Sequence, residues 1–357
     1  MNLVKIPILI DPHTHCRDFE QANKETFLTA SQAALAGGYG YISDMPNHSH
    51  PIVDKKTLDE LRQLASKQIV TDLGIYLGVT AQTAEMAGKN FKECMNEVRG
   101  LKIYMGDTTG GYIVDKDSDL DKIFRAWESE KPILVHIEGD TLIKALSLAE
   151  KYKRNLYVCH VYKKSELELI DKFRQRRSNN IWVEVTPHHL FLRDETVGNN
   201  PFLQMKPPLS SDEDVAALWE ALVNGEINTI GTDHAPHTIE EKKSEKPPFG
   251  VPGLETTAVL LLQAEKMGRI SRGKIIELTH TNPIKIFGLD NSRYENSFVY
   301  LEEGDFVIQN EGLKTKCGWT PFEGRKVSHR VSEVEFAGKT VFKNGEILVN
   351  PGQGEIR

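Results

Sequence analysis

Short apolar runs alternate with longer amphipathic segments along most of this chain. The first run, residues 6–10, is short and rich in β-branched side chains, which is typical of a buried strand. Seven further strand candidates follow, at residues 40–47, 73–79, 100–105, 132–138, 155–161, 181–186 and 229–233. Helical patterns lie between many of them, at residues 24–37, 55–66, 120–129, 141–152 and 164–174.

This alternation predicts parallel β-α units, and eight such units close into a barrel. We therefore predict an α/β fold, a (β/α)8 TIM barrel over residues 1–290. Beyond that point, short alternating apolar runs and turn residues such as Asn344 and Gly345 replace the helical pattern. Residues 291–357 are predicted to form a small β-rich C-terminal appendage.

Two proline-rich, polar segments interrupt the alternation, at residues 186–211 and 235–253. Both follow strand candidates, which is where barrel enzymes carry the loops of the active site. We predict that these two segments border a functional site.

Composition and charge narrow the class of protein. The 357 residues carry a formal net charge of −7, which argues against nucleic acid or an anionic membrane as the main partner. No apolar run reaches the roughly 20 residues that span a bilayer, and the N-terminus lacks the apolar core of a signal peptide. The four scattered cysteines are typical of free thiols in a reducing compartment, so a cytoplasmic location is expected.

Five of the strand candidates end in a residue that can bind a metal ion or titrate. His13 and His15 lie two positions apart after the first strand, so both imidazoles can point to one side. The other strands contribute Lys102, His136, His160 and Asp233. The C-terminal ends of barrel strands form one rim, so these side chains are expected to meet there. Each residue alone is compatible with a structural role, but together they predict a metal centre.

Lys102 is the unusual member of this set, because a protonated amine repels a cation. A lysine in a desolvated pocket loses its proton more readily and can react with carbon dioxide. The resulting carbamate would present one oxygen to each of two divalent ions of the zinc type, about 3.5–4 Å apart. The alternative is a lysine at the barrel rim that is paired with an acid.

Motifs at the strand ends carry a family resemblance. They are HTHCR at 13–17, GLKIY at 100–104, HIE at 136–138, CHV at 159–161, PHHLFL at 187–192, TDHAPH at 232–237 and FGVPGLET at 249–256. From about Ile10 to Leu289 the chain resembles the amidohydrolase superfamily and, within it, the dihydroorotases, including the dihydroorotase module of the large animal pyrimidine-synthesis protein. It departs from that family at residues 205–210, MKPPLS, where an asparagine and an arginine are common.

The resemblance implies metal ligands. One Zn²⁺ would be bound by His13, His15 and Asp233, and a second by His136 and His160. Carboxylated Lys102 would bridge the two ions, and a third metal ion is compatible with the family.

The resemblance also implies substrate contacts. Arg17 and Asn47 would hold an α-carboxylate with the help of His237, while Thr108 and Thr109 would lie on a loop that closes over the substrate. For Asn47, simple turn chemistry before His48 is the alternative. Two further residues, Glu184 and His189, match positions near the metals, and a supporting or helix-capping role is equally compatible with them.

The activity implied by the resemblance is the reversible cyclisation of N-carbamoyl-L-aspartate to L-dihydroorotate in pyrimidine (UMP) biosynthesis. A hydroxide between the metals would act with Asp233 as general base and acid. Hydantoinases, dihydropyrimidinases and allantoinases are alternatives, but their substrates lack the α-carboxylate that Arg17 would bind. A non-catalytic barrel that serves as an assembly partner is a second alternative, which the presence of all matched ligands disfavours.

The resemblance further implies a small-molecule substrate, a homodimer and association with a transcarbamoylase. Many relatives carry an N-terminal β segment that pairs with the C-terminal one. Here the first barrel strand is predicted almost at residue 1, so the appendage is expected to be smaller or differently supported.

Overall fold

The computed structural model describes residues 2–106, 112–176 and 180–357. Its strands are β1 (Leu3–Pro7), β2 (Leu9–Thr14), β3 (Tyr39–Asp44), β4 (Asp72–Ile75), β5 (Leu77–Gly78), β6 (Leu101–Tyr104), β7 (Ile133–His136), β8 (Leu156–Val158), β9 (Ile181–Val185), β10 (Thr229–Ile230), β11 (Phe298–Val307), β12 (Lys326–Phe336), β13 (Lys339–Lys343) and β14 (Glu346–Ile347). Its α-helices are α1 (Phe27–Ala36), α2 (Lys55–Ala65), α3 (Ala87–Cys94), α4 (Asp117–Ala126), α5 (Thr141–Tyr152), α6 (Lys164–Arg174), α7 (Pro187–Phe191), α8 (Asp212–Asn224), α9 (Ile239–Lys242), α10 (Thr257–Lys266), α11 (Arg272–Ile276) and α12 (Asn282–Ile286).

Strands β2 to β10 form the predicted parallel barrel. The order β2-β3-β4 makes one sheet and β5-β6-β7-β8-β9-β10 makes another. The two sheets meet where β4 runs into β5, with Tyr76 alone between them. At the other seam, Thr14 forms a parallel bridge with His234, and the Thr232 amide donates to the Asp11 carboxylate at 3.0 Å. The barrel is therefore closed, and the predicted fold class is confirmed.

Local sequence explains several helix boundaries. Helix α1 ends at Ala36 with Gly37 as its C-cap, as the pattern predicted. Helices α5 and α6 begin and end at the predicted residues. In α8, the Ser211 hydroxyl caps the N-terminus, and Gly225 takes the left-handed conformation at the C-terminus, with φ at 84°.

The prediction for the start of the chain was wrong. Residues 6–10 do not form one barrel strand, because β1 ends at Pro7 and the barrel strand β2 begins at Leu9. Strand β1 pairs antiparallel with β11, so it belongs to the sheet β1-β11-β12-β13-β14. The appendage thus has the N-terminal partner strand that the sequence had not predicted. The division of the chain into domains at residue 290 stays a prediction.

Barrel and appendage share one hydrophobic core. Ile8 at the barrel entrance, Val299 on β11 and Phe336 on β12 belong to the same buried cluster. The ring of Tyr294 stacks on Phe336 and meets Tyr41 of the barrel edge to face. The appendage is therefore packed against the barrel. In the described part of the chain, no helix is long and apolar enough to cross a membrane.

A buried carboxylate links the two parts. Asp72, on β4, is fully buried and accepts hydrogen bonds from Arg293 at 3.0 and 3.1 Å and from Tyr294 at 3.1 Å. It also accepts from the Glu355 amide at 3.1 Å and from Arg357 at 3.3 Å. Removing this carboxylate would leave several donors unpaired next to the core.

We expect Asp72→Ala to lower the free energy of unfolding by about 3–5 kcal/mol, because one partner of a buried ionic network is lost. Urea denaturation followed by circular dichroism measures this change. Asp305→Ala, at an exposed position of β11, is the matched control and should shift the free energy by less than about 0.5 kcal/mol. Equal effects of the two substitutions would contradict the linking role.

Candidate active site

One pocket lies at the C-terminal ends of the barrel strands. It is lined by His13, His15, Arg17, Asn47, Lys102, Tyr104, His136, His160, Lys206, Asp233, Ala235, Phe249 and Gly250. The structure thus brings together all six residues that the sequence predicted as metal ligands. It also places Arg17 and Asn47, two of the predicted substrate contacts, in the same lining.

Two histidines of the first barrel strand converge on one carboxylate oxygen. The Oδ1 atom of Asp233 lies 3.2 Å from His13 Nε2 and 3.0 Å from His15 Nε2. Ligand atoms of His13, His160 and Asp233 all lie within 4.8 Å of one another, so this group can hold a metal ion. Side chains from strand ends that are far apart in the sequence therefore meet, as predicted.

The remaining two histidines form a pair of their own. His136 Nδ1 lies 2.9 Å from His160 Nε2, and the two rings meet edge to face. Among the described residues, the buried Nδ1 atom of His160 has no hydrogen-bond partner. A buried imidazole nitrogen without a partner costs free energy unless a ligand occupies it. This donor set therefore suits a bound cation.

Burial decides which of these groups carry charge. Desolvation lowers the pKa of His15 to about 4 and that of His160 well below its ordinary value, so both rings are neutral at pH 7. Burial opposes charge on His13 too, but Glu184 and Asp233 hold the pKa of His13 well above its ordinary value. Burial likewise opposes charge on Asp233, but His13 and the hydrogen bond from His15 hold its pKa well below the usual range. Neutral imidazoles and an ionised carboxylate are the forms that bind metal ions.

Backbone strain is concentrated at the same place. His160 and Asp233 have φ values of 37° and 46°, and Arg17 has a φ of 61°, although none of them is a glycine. Such conformations persist where surrounding contacts enforce them, and they are common at functional sites.

Lys102 is fully buried on β6, and its amino group has an unusual setting. Its Nζ atom lies 3.1 Å from Cys159 Sγ and 5.1 Å from the centre of the Tyr104 ring. Within the described ranges, no carboxylate lies within 4.0 Å of this nitrogen. The alternative of a rim lysine paired with an acid finds no acidic partner among the described residues, and it stays untested because Asp107 lies outside them.

Glu184 contacts the candidate metal-binding residues on the side away from the pocket. Its Oε1 atom lies 2.7 Å from His13 Nδ1 and accepts from the His160 amide at 3.0 Å, while Oε2 accepts from Tyr157 at 2.8 Å. A carboxylate on the far nitrogen of a histidine orients the ring toward a metal. Ligand atoms of His13, Cys159 and Glu184 also lie within 4.8 Å of one another, as a second group that can hold a metal ion.

Arg17 lies almost completely buried at the pocket wall. Its Nη2 atom lies 3.3 Å from His237 Nε2, and its Nε atom has no hydrogen-bond partner in the described part of the chain. His237 Nε2 also lies 3.0 Å from the Phe249 carbonyl oxygen. His237 is not in the pocket lining, so the structure places it behind Arg17.

Asn47 contacts His15, one of the candidate metal ligands. Its Oδ1 atom lies 2.7 Å from His15 Nδ1, which directs the other ring nitrogen toward Asp233. The side-chain nitrogen of Asn47 can then donate to a ligand in the pocket. Thr108 and Thr109, the other predicted substrate contacts, lie outside the described residues.

His189 serves a neighbouring loop. Its Nδ1 atom lies 2.8 Å from the hydroxyl of Thr186, the N-cap of α7, and its Nε2 atom lies 3.2 Å from the carbonyl oxygens of Pro207 and Pro208. His189 thereby fastens the segment that carries Lys206 into the pocket. The helix-capping alternative raised by the sequence describes its contacts best.

Sequence reasoning missed several pocket residues. Tyr104 lies two positions after Lys102, so alternation along β6 could have indicated it. Lys206 and Phe249 come from the two proline-rich segments, and the Lys206 amine lies 4.8 Å from the centre of the Phe249 ring. Trp319 of the appendage donates from Nε1 to the His237 carbonyl at 2.7 Å. No local signal indicated that contact.

Comparisons with known proteins agree with this geometry. The amidohydrolase family model matches residues 4–292. The chain is 36% identical to a dihydroorotase of Thermococcus kodakarensis over 371 residues, which covers 97% of this chain and 85% of that protein. It is 38% identical over 357 residues to the multifunctional protein CAD of Squalus acanthias, covering 99% of this chain but only 16% of that protein.

The fold is similar to solved structures as well. An L-hydantoinase (dihydropyrimidinase) from Arthrobacter aurescens matches with a TM-score of 0.90 at 24% identity, over 99% of this chain and 88% of that one. At that identity the likeness concerns the fold alone. The family model and the relatives of comparable length agree, and the chain belongs to the amidohydrolase family.

Proposed function

We propose that this protein is a zinc-dependent dihydroorotase, which interconverts N-carbamoyl-L-aspartate and L-dihydroorotate. The observation that supports this most directly is the pocket itself. The residues that can bind metal ions and the buried guanidinium group of Arg17 line the same pocket. The similarity to dihydroorotases of comparable length agrees with this assignment.

We propose two Zn²⁺ ions for the centre, one held by His13, His15 and Asp233 and the other by His136 and His160. A carbamate on Lys102, whose amine faces no carboxylate among the described residues, would bridge them. The ligand atoms of His13, Cys159 and Glu184 also lie close enough together to hold an ion, but the bond of Glu184 to His13 Nδ1 favours a supporting role for that carboxylate. Bound zinc supplies Lewis acidity, which lowers the pKa of a water molecule to about 7 and polarises a carbonyl group.

Asp233 transfers the protons in the proposed reaction. In the hydrolytic direction Asp233 accepts the proton of the attacking water and delivers it to the ring nitrogen that leaves. In the biosynthetic direction Asp233 takes a proton from the carbamoyl nitrogen, which attacks the carbon of the side-chain carboxyl group. Asp233 then returns that proton to the carboxyl oxygen whose bond to carbon breaks, and this oxygen leaves as water. The adjacent His13 and His15 keep the pKa of Asp233 below its usual range, so its carboxylate is ionised at neutral pH and carries no proton of its own.

Arg17 separates this activity from that of other ring-opening relatives. A guanidinium group binds a carboxylate through two parallel hydrogen bonds, and the Asn47 amide can add a neutral donor. Neutral hydantoins offer no carboxylate to these residues. The buried Nε atom of Arg17 has no hydrogen-bond partner among the described residues, which supports a ligand of this kind.

We expect Arg17→Met to raise the KM for L-dihydroorotate roughly 10- to 100-fold, because a charge-assisted pair with the carboxylate is lost. Steady-state kinetics in the hydrolytic direction measure this, with kcat changing much less. Arg99→Met is the matched control, since that arginine lies outside the pocket lining. An unchanged KM in Arg17→Met would contradict the assigned contact.

The proposed function is tested by turnover. Purified protein supplied with zinc and bicarbonate should open L-dihydroorotate and leave a neutral hydantoin nearly untouched. The reverse preference would favour the hydantoinase alternative. Freshly purified protein without bound metal and without turnover of either ring would instead favour a non-catalytic barrel.

Partners and location remain proposals. The chain spans 16% of the length of the multifunctional relatives CAD and pyr1-3. We propose that it associates with a transcarbamoylase, as the family resemblance implies. We also propose a homodimer in the cytoplasm. The four cysteines are free and buried.

A further inference from the structure

Three consecutive residues of the first active-site turn are each held by one short segment. Asn47 binds the ring of His15, the Asp44 carboxylate accepts from the Cys16 amide at 2.8 Å, and the His48 ring contacts the Arg17 carbonyl. The sequence suggested a role for Asn47 alone. Residues 44–48 therefore act as one support for residues 15–17.

His48 and Asp44 form a buried pair within this support. The Nε2 atom of His48 lies 2.7 Å from Asp44 Oδ2, and the two side chains are only 2% and 1% exposed. The rings of Phe19 and Phe27 pack against His48. Water is thus excluded from the pair, and its hydrogen bonds have no solvent competitor.

The ring of His48 donates from both nitrogens. The Arg17 carbonyl can only accept, so Nδ1 carries a proton, and Nε2 donates to the Asp44 carboxylate. Burial opposes charge on the ring, but Asp44 raises the pKa of His48 above its ordinary value. Of the other charged groups, Arg17 opposes the ring's charge, whereas Glu20 interacts favourably with it.

The backbone that this pair holds is one that rarely forms unaided. Arg17, Asp18 and Phe19 have φ values of 61°, 56° and 47°, so three successive side-chain-bearing residues are left-handed. Asp18 stabilises the far end by accepting from the Phe27 amide at 3.0 Å and from Gln68 at 2.9 Å. The near end, at Arg17, is held by His48 and Asp44.

We propose that Asp44 and His48 are positioning residues that hold Arg17 in the orientation needed to bind the substrate carboxylate, an inference that rests on the proposed function. They act through the main chain of Cys16 and Arg17 and touch neither substrate nor metal. Loosening the pair lets the turn relax, so the guanidinium group loses its alignment. The effect should fall on substrate binding.

Two substitutions at His48 separate its two hydrogen bonds. His48→Gln can reach Asp44 but not the Arg17 carbonyl, whereas His48→Asn can place an amide nitrogen where Nδ1 stands. We expect His48→Gln to raise the KM for L-dihydroorotate about 10-fold while kcat stays within about twofold. In His48→Asn, the KM should stay much closer to that of the unsubstituted protein. A fall in kcat at unchanged KM would overturn the proposal.

A double substitution tests whether His48 acts through Arg17. In an Arg17→Met background, His48→Gln should cause no further loss of kcat/KM, because the group it positions is gone. A full, additive loss would overturn the proposal. If His48→Gln does not fold, Asp44→Asn carries the same comparison, since it removes the negative partner and keeps the side-chain shape.

The matched control is His280→Gln. His280 Nδ1 also donates to a backbone carbonyl, that of Ile8, at 2.7 Å, but it lies outside the pocket lining. Its loss should lower stability without changing KM. An equal rise in KM for His280→Gln would mean that His48→Gln reports general loosening, which would overturn the proposal.

A measurement without turnover separates this inference from the proposed function. Nitrogen-15 NMR of the metal-loaded protein at pH 7 should show both ring nitrogens of His48 protonated, and Asp44→Asn should remove one proton. A singly protonated ring in the unsubstituted protein would contradict the proposal that His48 donates to both Asp44 and the Arg17 carbonyl. A doubly protonated ring in a protein that does not open L-dihydroorotate would count against the proposed function alone.

Discussion

Replacing Asp233 by asparagine is expected to reduce kcat about 10²- to 10⁴-fold in both reaction directions, the usual contribution of a general acid–base group. Asparagine has the same shape and keeps an oxygen near His13 and His15, where Asp233 Oδ1 lies at 3.2 and 3.0 Å. It cannot accept a proton. The metal content should therefore stay close to that of the unsubstituted protein while turnover is lost.

Atomic absorption and steady-state kinetics on the same preparation measure both quantities. Asp305→Asn, on an exposed strand position, controls for the loss of one negative charge and should keep full activity. Full activity in Asp233→Asn would remove Asp233 from the proton transfer. Loss of metal together with activity would show that its role as a ligand dominates.

Replacing Lys102 by alanine is expected to abolish metal binding and to reduce turnover by at least about 10³-fold, since Lewis acidity worth several kcal/mol is lost. The buried amine lies beside Cys159 and the Tyr104 ring, and it faces no carboxylate among the described residues. Conversion to a carbamate changes a repelling cation into a bridging anion.

The carbamate itself can be observed. Protein incubated with ¹³C-bicarbonate and zinc should give one carbamate resonance in carbon NMR, and Lys102→Ala should lack it. Lys242→Ala is a matched control, because that buried lysine already donates to the carbonyls of Gln204, Pro248 and Gly250. Its substitution should leave the resonance in place. Normal metal content and turnover in Lys102→Ala would contradict the bridging role.

The appendage contributes more to the pocket than its position in the chain indicates. Glu25 and Glu255 accept hydrogen bonds from the amides of residues 314–316. From this anchored loop, Trp319 reaches the His237 carbonyl and packs against Phe202. The loop thereby supports both proline-rich segments beside the pocket mouth. Truncation of the C-terminal sheet would remove this support as well as the Asp72 network.

Prediction from the sequence succeeded where the signal was local. The alternation of short strands and helices indicated the barrel, and α5 and α6 were bounded correctly because their apolar positions repeat with the helical period. Helix α10 was missed because seven of its ten residues are buried, which erases that period. Strand β1 was merged with β2 because only Ile8 separates them.

For the site, local sequence patterns were enough to show which residue types stand at the strand ends. Parallel strands in a closed barrel bring those ends to one rim, so His13, Lys102, His136, His160 and Asp233 could be gathered without coordinates. The contacts behind these side chains depend on the folded chain. Asp44 and His48 bond to the main chain of residues 16 and 17, Glu184 bonds to His13, and Trp319 donates to the His237 carbonyl, although these partners share no local sequence pattern. Such contacts depend on how loops pack across the rim, and that packing is set by the whole fold.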